Sequence, residues 1–139
     1  MGNGESVVYK YPSEIRFTHD SIQSNFRDGH SIPETFRQIL MKKIAVESLP
    51  LMEVMKHEGE WFVVRGNRRL FLFQELERRG YLKQVSVQTR NFNSDLFYKQ
   101  YTSQNRGKSV RIRGYGQDSV RTELDKIWAE YQSSYCTIL

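Results

Sequence analysis

Residues 65–69 read Arg-Gly-Asn-Arg-Arg, three guanidinium groups within five positions. Each guanidinium presents a planar fork of N–H donors that stays charged at any physiological pH and matches the oxygens of a carboxylate or phosphate. The segment is preceded by Trp61-Phe62-Val63-Val64 and followed by Leu70-Phe71-Leu72-Phe73. A strand that turns through a glycine straight into a helix aims free backbone N–H groups, and the positive end of the helix dipole, at whatever lies before it. The chemistry open to this pattern is anion binding, so Arg65, Gly66, Asn67, Arg68 and Arg69 form a candidate phosphate- or nucleotide-binding segment. Gly66 is expected to let the backbone approach a ligand closely, and Asn67 to cap the helix. Each charge-assisted hydrogen bond made there is worth about 1.5–3 kcal/mol. The competing reading has one arginine paired with Glu75 or another acid and the rest solvated.

Other side chains have chemistry to offer. Ser21, Asp28 and His30 are polar residues in or beside a tight turn. Asp28 is a candidate Mg²⁺ ligand or general base. His30 carries an imidazole and is a candidate for proton transfer. Against these stand an ordinary helix-ending turn at Asp28-Gly29 and a solvated loop histidine. Arg111 and Arg113 alternate with Val110 and Ile112, placing two cations on one strand face as a candidate nucleic-acid groove or a merely solvated surface. Tyr98, Tyr101 and Tyr115 are candidates for base stacking, with core packing as the alternative. Glu75 and Arg79 stand at i,i+4 and suit a helix ion pair. His19, His30 and His57 show no metal-ligand spacing, and the single cysteine, Cys136, excludes an internal disulfide or a cysteine-based metal site.

These residues need elements to hold them. Ile15 to Thr18 reads as a short strand. Asp20 and Gln23 fit a capping box and predict a helix over 21–27, stopped at Gly29. Ser31 and Glu34 make a second capping box, and Ile32, Phe36, Ile39 and Leu40 recur at helical spacing, predicting a helix over 33–43. Strands are expected at 49–56 and 61–64, joined at Glu58-Gly59. The second lacks polar alternation and should be buried on both faces. A buried helix over 68–79, a strand over 84–90, a short helix near 95–102 and an amphipathic helix carrying Val120, Leu124, Ile127, Trp128 and Tyr131 complete the series. The fold class expected is α/β (α+β): a small mixed sheet flanked by helices, with a C-terminal amphipathic helix.

The 139 residues suit one domain over 12–135, with a loose arm at 1–11 and a tail at 136–139. Hydrophobic residues make up 38% of the chain, enough to build a core rather than a disordered segment. The net charge of +5 favours an anionic partner: nucleotide, nucleic acid or an acidic membrane surface. No leader-like segment and no long apolar run is legible, so a reducing, cytoplasmic setting is expected. The two ends carry short lipidation patterns. Gly2 heads Met-Gly-x-x-x-Ser, and Cys136-Thr137-Ile138-Leu139 fits a prenylation box, either of which would bring the chain to a membrane.

The stretch from Phe62 to Leu76 resembles the G-x-R-R box of ParB-type domains and the glycine-rich phosphate-binding box of sulfiredoxins. Pro50 to Val54 resembles the strand that leads into that hairpin in both. Three ordered motifs resemble most the ParB-like domains of polymorphic toxins: Ile15-Arg16-Phe17-Thr18 with Ser21-Ile22 and Phe26 to Gly29, then Asn67-Arg68-Arg69-Leu70, then Ser109 to Arg113. The resemblance implies a ParB/sulfiredoxin-like fold in which Arg68 and Arg69 contact phosphates. Where sulfiredoxins carry a reactive cysteine this chain has Asn67, so cysteine-dependent sulfinic-acid reduction is excluded. The expected function is a phosphate-handling domain, either a nuclease or nucleotide hydrolase. The alternative is a non-catalytic nucleotide- or nucleic-acid-binding module or a lipid-anchored interaction module.

Overall fold

The computed structural model describes residues 5–114 and 117–138. Gly2, Tyr115 and Leu139 lie outside them. A five-stranded mixed sheet has the order β1-β6-β4-β5-β2, and a separate two-stranded parallel ribbon pairs β3 with β7. The strands are β1 (Val7–Lys10), β2 (Ile15–Arg16), β3 (Ser21–Ile22), β4 (Met52–His57), β5 (Glu60–Arg65), β6 (Val85–Arg90) and β7 (Arg111–Ile112). The helices are α1 (Ile32–Leu40), α2 (Asn67–Arg78), α3 (Ser94–Gln100) and α4 (Gln117–Ile138). This is the expected mixed α/β class with a C-terminal helix. Cys136 falls within α4 by its backbone, and its side chain lies outside the description.

The β4–β5 hairpin turns through Glu58 and Gly59, both at positive φ (52° and 83°), the twist that a tight hairpin needs. Strand β5 is buried on both faces because two cores use it. Val63 joins Val54, Val87, Leu70, Phe71 and residues of α1 and α4 in the main core, whereas Phe62 and Val64 join Met55 and Phe97 of α3 in a second one. Fully burying a side chain of this size contributes about 1.5–3 kcal/mol. Helix α4 is bound to α2 through Glu75, which is 1% exposed and meets Arg79 at 2.9 Å, Arg78 at 3.1 Å and Arg121 of α4 at 3.3 Å. Arg79 continues to Asp125 of α4 at 2.6 Å. The i,i+4 pairing expected of Glu75 and Arg79 is therefore present, within a wider buried network.

Two expected elements are different. Residues 21–27 do not form a helix. Ser21 and Ile22 pair instead with Arg111 and Ile112 of β7, and Ile22 is 2% exposed. The local capping pattern loses to long-range backbone bonds, Arg111 N–H to Asp20 C=O at 3.0 Å and Arg113 N–H to Ile22 C=O at 2.8 Å. The arm expected at 1–11 contains β1, which pairs antiparallel with β6. Its side chains are only half covered, with Val7 57% and Tyr9 70% exposed, so no apolar periodicity marked it.

Candidate functional site

Helix α2 begins directly at the end of β5. Gly66 is its N-cap, at φ +113°. A Cβ there would also lie 2.9 Å from Met52 Cγ and 3.2 Å from Arg69 Cζ. The glycine thus serves the turn and leaves room for the Met52 and Arg69 side chains.

Asn67 is not the cap. It is the first helical residue, 6% exposed, and its carboxamide is spent on the loop between β2 and β3. Its Oδ1 accepts from Thr18 N–H at 3.0 Å and His19 N–H at 3.2 Å, while its Nδ2 donates to Thr18 Oγ1 at 3.0 Å. Thr18 Oγ1 in turn donates to Val63 C=O at 2.8 Å. The Asn67 side chain therefore ties the start of α2 to the β2–β3 loop. No cap side chain satisfies the start of α2, and among the described residues no hydrogen bond ends on the amides of Asn67, Arg68 or Arg69.

The arginines separate into two kinds. Arg65 is exposed and paired with Glu53 at 3.4 Å, which Arg90 also holds at 3.0 Å. Arg111 is paired with Asp20. Among the described residues Arg68, Arg69 and Arg113 have no carboxylate within ion-pair distance. Arg68 Nη1 donates to Asn25 C=O at 2.7 Å and Gln23 Oε1 at 3.3 Å. Its guanidinium lies 5.9 Å from the Phe26 ring centroid. Arg69 donates to Pro50 C=O. Burial disfavours the charged form of Arg69, with neighbouring Arg68 acting the same way and Glu53 opposing both. Arginine nevertheless stays protonated, so the direct partners of these three cations are neutral: carbonyls and an amide for Arg68 and Arg69 and a hydroxyl for Arg113. Arg113 Nη1 donates to Ser21 Oγ at 3.3 Å, which brings Ser21, Arg111 and Arg113 to the edge of the same cluster.

Two participants were not singled out in the sequence. His19 is half-buried, and its pKa is lowered first by that burial, then by Arg113, then by Arg68. The loop 102–109 closes over Thr18: Thr102 N–H and Ser103 N–H donate to Thr18 C=O at 2.9 and 3.0 Å, and Asp20 N–H donates to Thr102 Oγ1 at 2.9 Å. Gly107 makes this closure, since a Cβ there would lie 2.2 Å from Phe17 C=O. The run Asn105-Arg106-Gly107-Lys108 carried the turn signal, but nothing local said what it packs against.

Asp28 and His30 stand apart in an exposed turn. Asp28 Oδ1 accepts from His30 N–H at 2.9 Å, and its other oxygen lies 3.2 Å from His30 Nδ1. The bond from the His30 amide, then that from its ring, holds the Asp28 carboxyl below its usual range. No group of three or more His, Cys, Asp or Glu suited to a metal occurs among the described residues. Tyr101 belongs to the second core, 5.0 Å from Phe97 ring to ring, whereas Tyr98 is 56% exposed. A small cavity of about 60 Å³, lined by Ser24, Ser31, Ile32, Ile112, Val120 and Glu123, adjoins the loop that Arg68 grips. Ligand pockets run to about 300 Å³ or more, and none of the cations lines this smaller cavity.

No protein-family model matches this chain, and no curated protein matches it. Among solved structures, the C-terminally truncated chromosome-partitioning protein ParB from Caulobacter crescentus, complexed with CTP-gamma-S, is similar at 20% identity and a TM-score of 0.46. The match covers 68% of this chain and 49% of that one, so the chain spans about half the length of that protein.

Proposed function

We propose that this chain is a phosphate-binding domain that takes a nucleotide, through its phosphates, at the Gly66–Arg69 start of α2. The observation that carries this reading is the gathering of Arg68, Arg69 and Arg113, without carboxylate partners among the described residues, around a helix start whose first amides are unspent. Fixed cations that have no internal counter-charge favour an external one. The three segments that resemble ParB-like domains, 15–29, 67–70 and 109–113, all meet there: Asn67 holds Thr18, Arg68 holds the 23–25 loop and Arg113 holds Ser21. Binding is favoured over hydrolysis because Asp28 and His30, the acid and base candidates, are engaged with each other in an exposed turn.

A nucleic acid as the phosphate donor is the second reading. Its support is the exposure of Arg111 and Arg113 along the same edge and of Phe92 and Tyr98, at 45% and 56%, on the surface. The two are separated by salt, since binding of a polynucleotide weakens steeply with ionic strength.

The test is a thermal-shift screen of nucleotides with and without Mg²⁺, on wild type and on Arg68→Ala/Arg69→Ala. A ligand present at about a hundred times its Kd stabilises the native state by about 2.7 kcal/mol, and the double variant should lose that shift while keeping its fold. A panel in which no nucleotide shifts the wild type, or in which both proteins shift equally, would overturn the reading.

A further inference from the structure

The anion cluster holds one imidazole, that of His19, whose charged form burial, Arg113 and Arg68 all disfavour. His19 is fixed by its backbone, its N–H bonded to Asn67 Oδ1 at 3.2 Å at the head of α2. The residues after it are engaged from across the cluster, Asp20 by Arg111 and Ser21 by Arg113. The charged groups around it come from three elements. Helix α2 contributes Arg68, β7 contributes Arg111, whose charge is matched by Asp20, and the turn directly after β7 contributes Arg113. On the loop that packs over residues 17–20, Arg106 is paired with Glu58 at 3.2 Å, and Lys108 is exposed. His19 thus sits half-buried at the head of α2, between it and the segment whose Ser21 is held by Arg113 and whose Asn25 is held by Arg68, two cations that no carboxylate balances among the described residues.

We propose that His19 is the proton-accepting member of this anion site: when an oxyanion settles against Arg68 and Arg113, the imidazole takes one proton from solvent, and the site binds its anion more tightly as pH falls. The inference rests on the anion-binding reading above and adds its regulation. The physics is reciprocal. Arg68 and Arg113 resist a third positive charge, a dianion cancels that resistance, and any factor by which the anion favours the proton is the factor by which the proton favours the anion. The imidazolium also becomes a donor at both ring nitrogens, adding one charge-assisted hydrogen bond to the anion.

Sulfate is the probe, because it stays fully ionised over the range in which histidine titrates, so any proton uptake belongs to the protein. The ring resonances of His19, His30 and His57 are followed against pH in sulfate and in chloride at equal ionic strength, and sulfate affinity is measured at about pH 5 and about pH 8. The expected result is an upward shift of the His19 midpoint of about one unit in sulfate, and a gain in sulfate affinity at the lower pH that approaches tenfold as the free-state imidazole becomes protonated, one unit being one factor of ten. In His19→Gln the ratio of the two affinities collapses toward one. Sulfate binding that Arg68→Ala removes but that shows no pH slope and no movement of His19 would overturn this proposal and leave the anion site standing. A pH slope that persists in His19→Gln would overturn it equally. Absence of saturable sulfate binding at both pH values, or binding that Arg68→Ala leaves unchanged, would overturn the anion site and this proposal together.

Discussion

Replacing Asn67 with alanine should destabilise the domain more than its position beside a surface cluster implies. The carboxamide is 6% exposed and makes three hydrogen bonds to the loop between β2 and β3. Alanine would leave the Thr18 N–H, on a residue that is 0% exposed, without its acceptor. An orphaned buried donor costs about 1–3 kcal/mol. The His19 N–H is only half-buried and recovers part of its loss from water, and Thr18 Oγ1 keeps its bond to Val63 C=O. The sum is about 2–4 kcal/mol, a lowering of Tm by roughly 3 °C for each kcal/mol in a domain of this size. Urea unfolding followed by circular dichroism, with wild type and variant fitted to a common slope, reads the difference directly. A loss below about 1 kcal/mol would refute the assignment of Asn67 as the buried joint between α2 and the β2–β3 loop.

Three further outcomes follow from the same geometry. Glu75→Ala should cost about 3–5 kcal/mol, because Arg79, 8% exposed, would be left buried with only the exposed Asp125 as counter-charge; chemical denaturation checks this, and a loss under 1 kcal/mol would contradict it. Gly107→Ala should prevent the 102–109 loop from closing, since the new Cβ lies 2.2 Å from Phe17 C=O, whereas Gly59→Ala, at φ +83° but with nothing within 4 Å, should cost only strain of about 1–2 kcal/mol; paired melting curves in which the two variants fall equally would contradict the packing role. The lowered His19 pKa fixes a sign for pH dependence: between that pKa and the ordinary histidine value of 6.5 the unfolded chain binds more protons, so stability should rise with pH through that window and be lost on acidification. A Tm that falls between about pH 5 and about pH 7 would contradict this.

Much of the fold was legible because its main elements carry their own patterns. Trp61 to Val64 reads as buried on both faces, and two cores do pack against it. Leu70 to Leu76 announces a buried helix, and Ser31 caps α1 as its spacing implied, accepting from Glu34 N–H at 3.1 Å. What was illegible depended on distant partners. Ser21 and Ile22 have a helix-capping sequence, and only β7, some ninety residues on, turns them into a strand. Strand β1 hides because Val7 and Tyr9 stay mostly in water and no residue of the strand is fully buried. The same division holds at the site. Arg68 and Arg69 were visible as a cation pair at a helix start, but Asn67 has the composition of a cap and the surroundings of a core residue, and nothing local distinguishes the two. His19 was noted only for lacking metal-ligand spacing, because its character comes from Arg68 of α2 and Arg113 just after β7, both distant in sequence.

The measurement that bears most directly on the account is a nitrogen–proton NMR titration of the domain with a nucleoside triphosphate. Saturable shifts concentrated on the amides of Gly66 to Arg69, His19 and Arg113, and abolished in Arg68→Ala/Arg69→Ala, are the expected result. Shifts that gather elsewhere on the surface, or that survive unchanged in the double variant, would contradict the claim that the start of α2 is where this protein holds a phosphate.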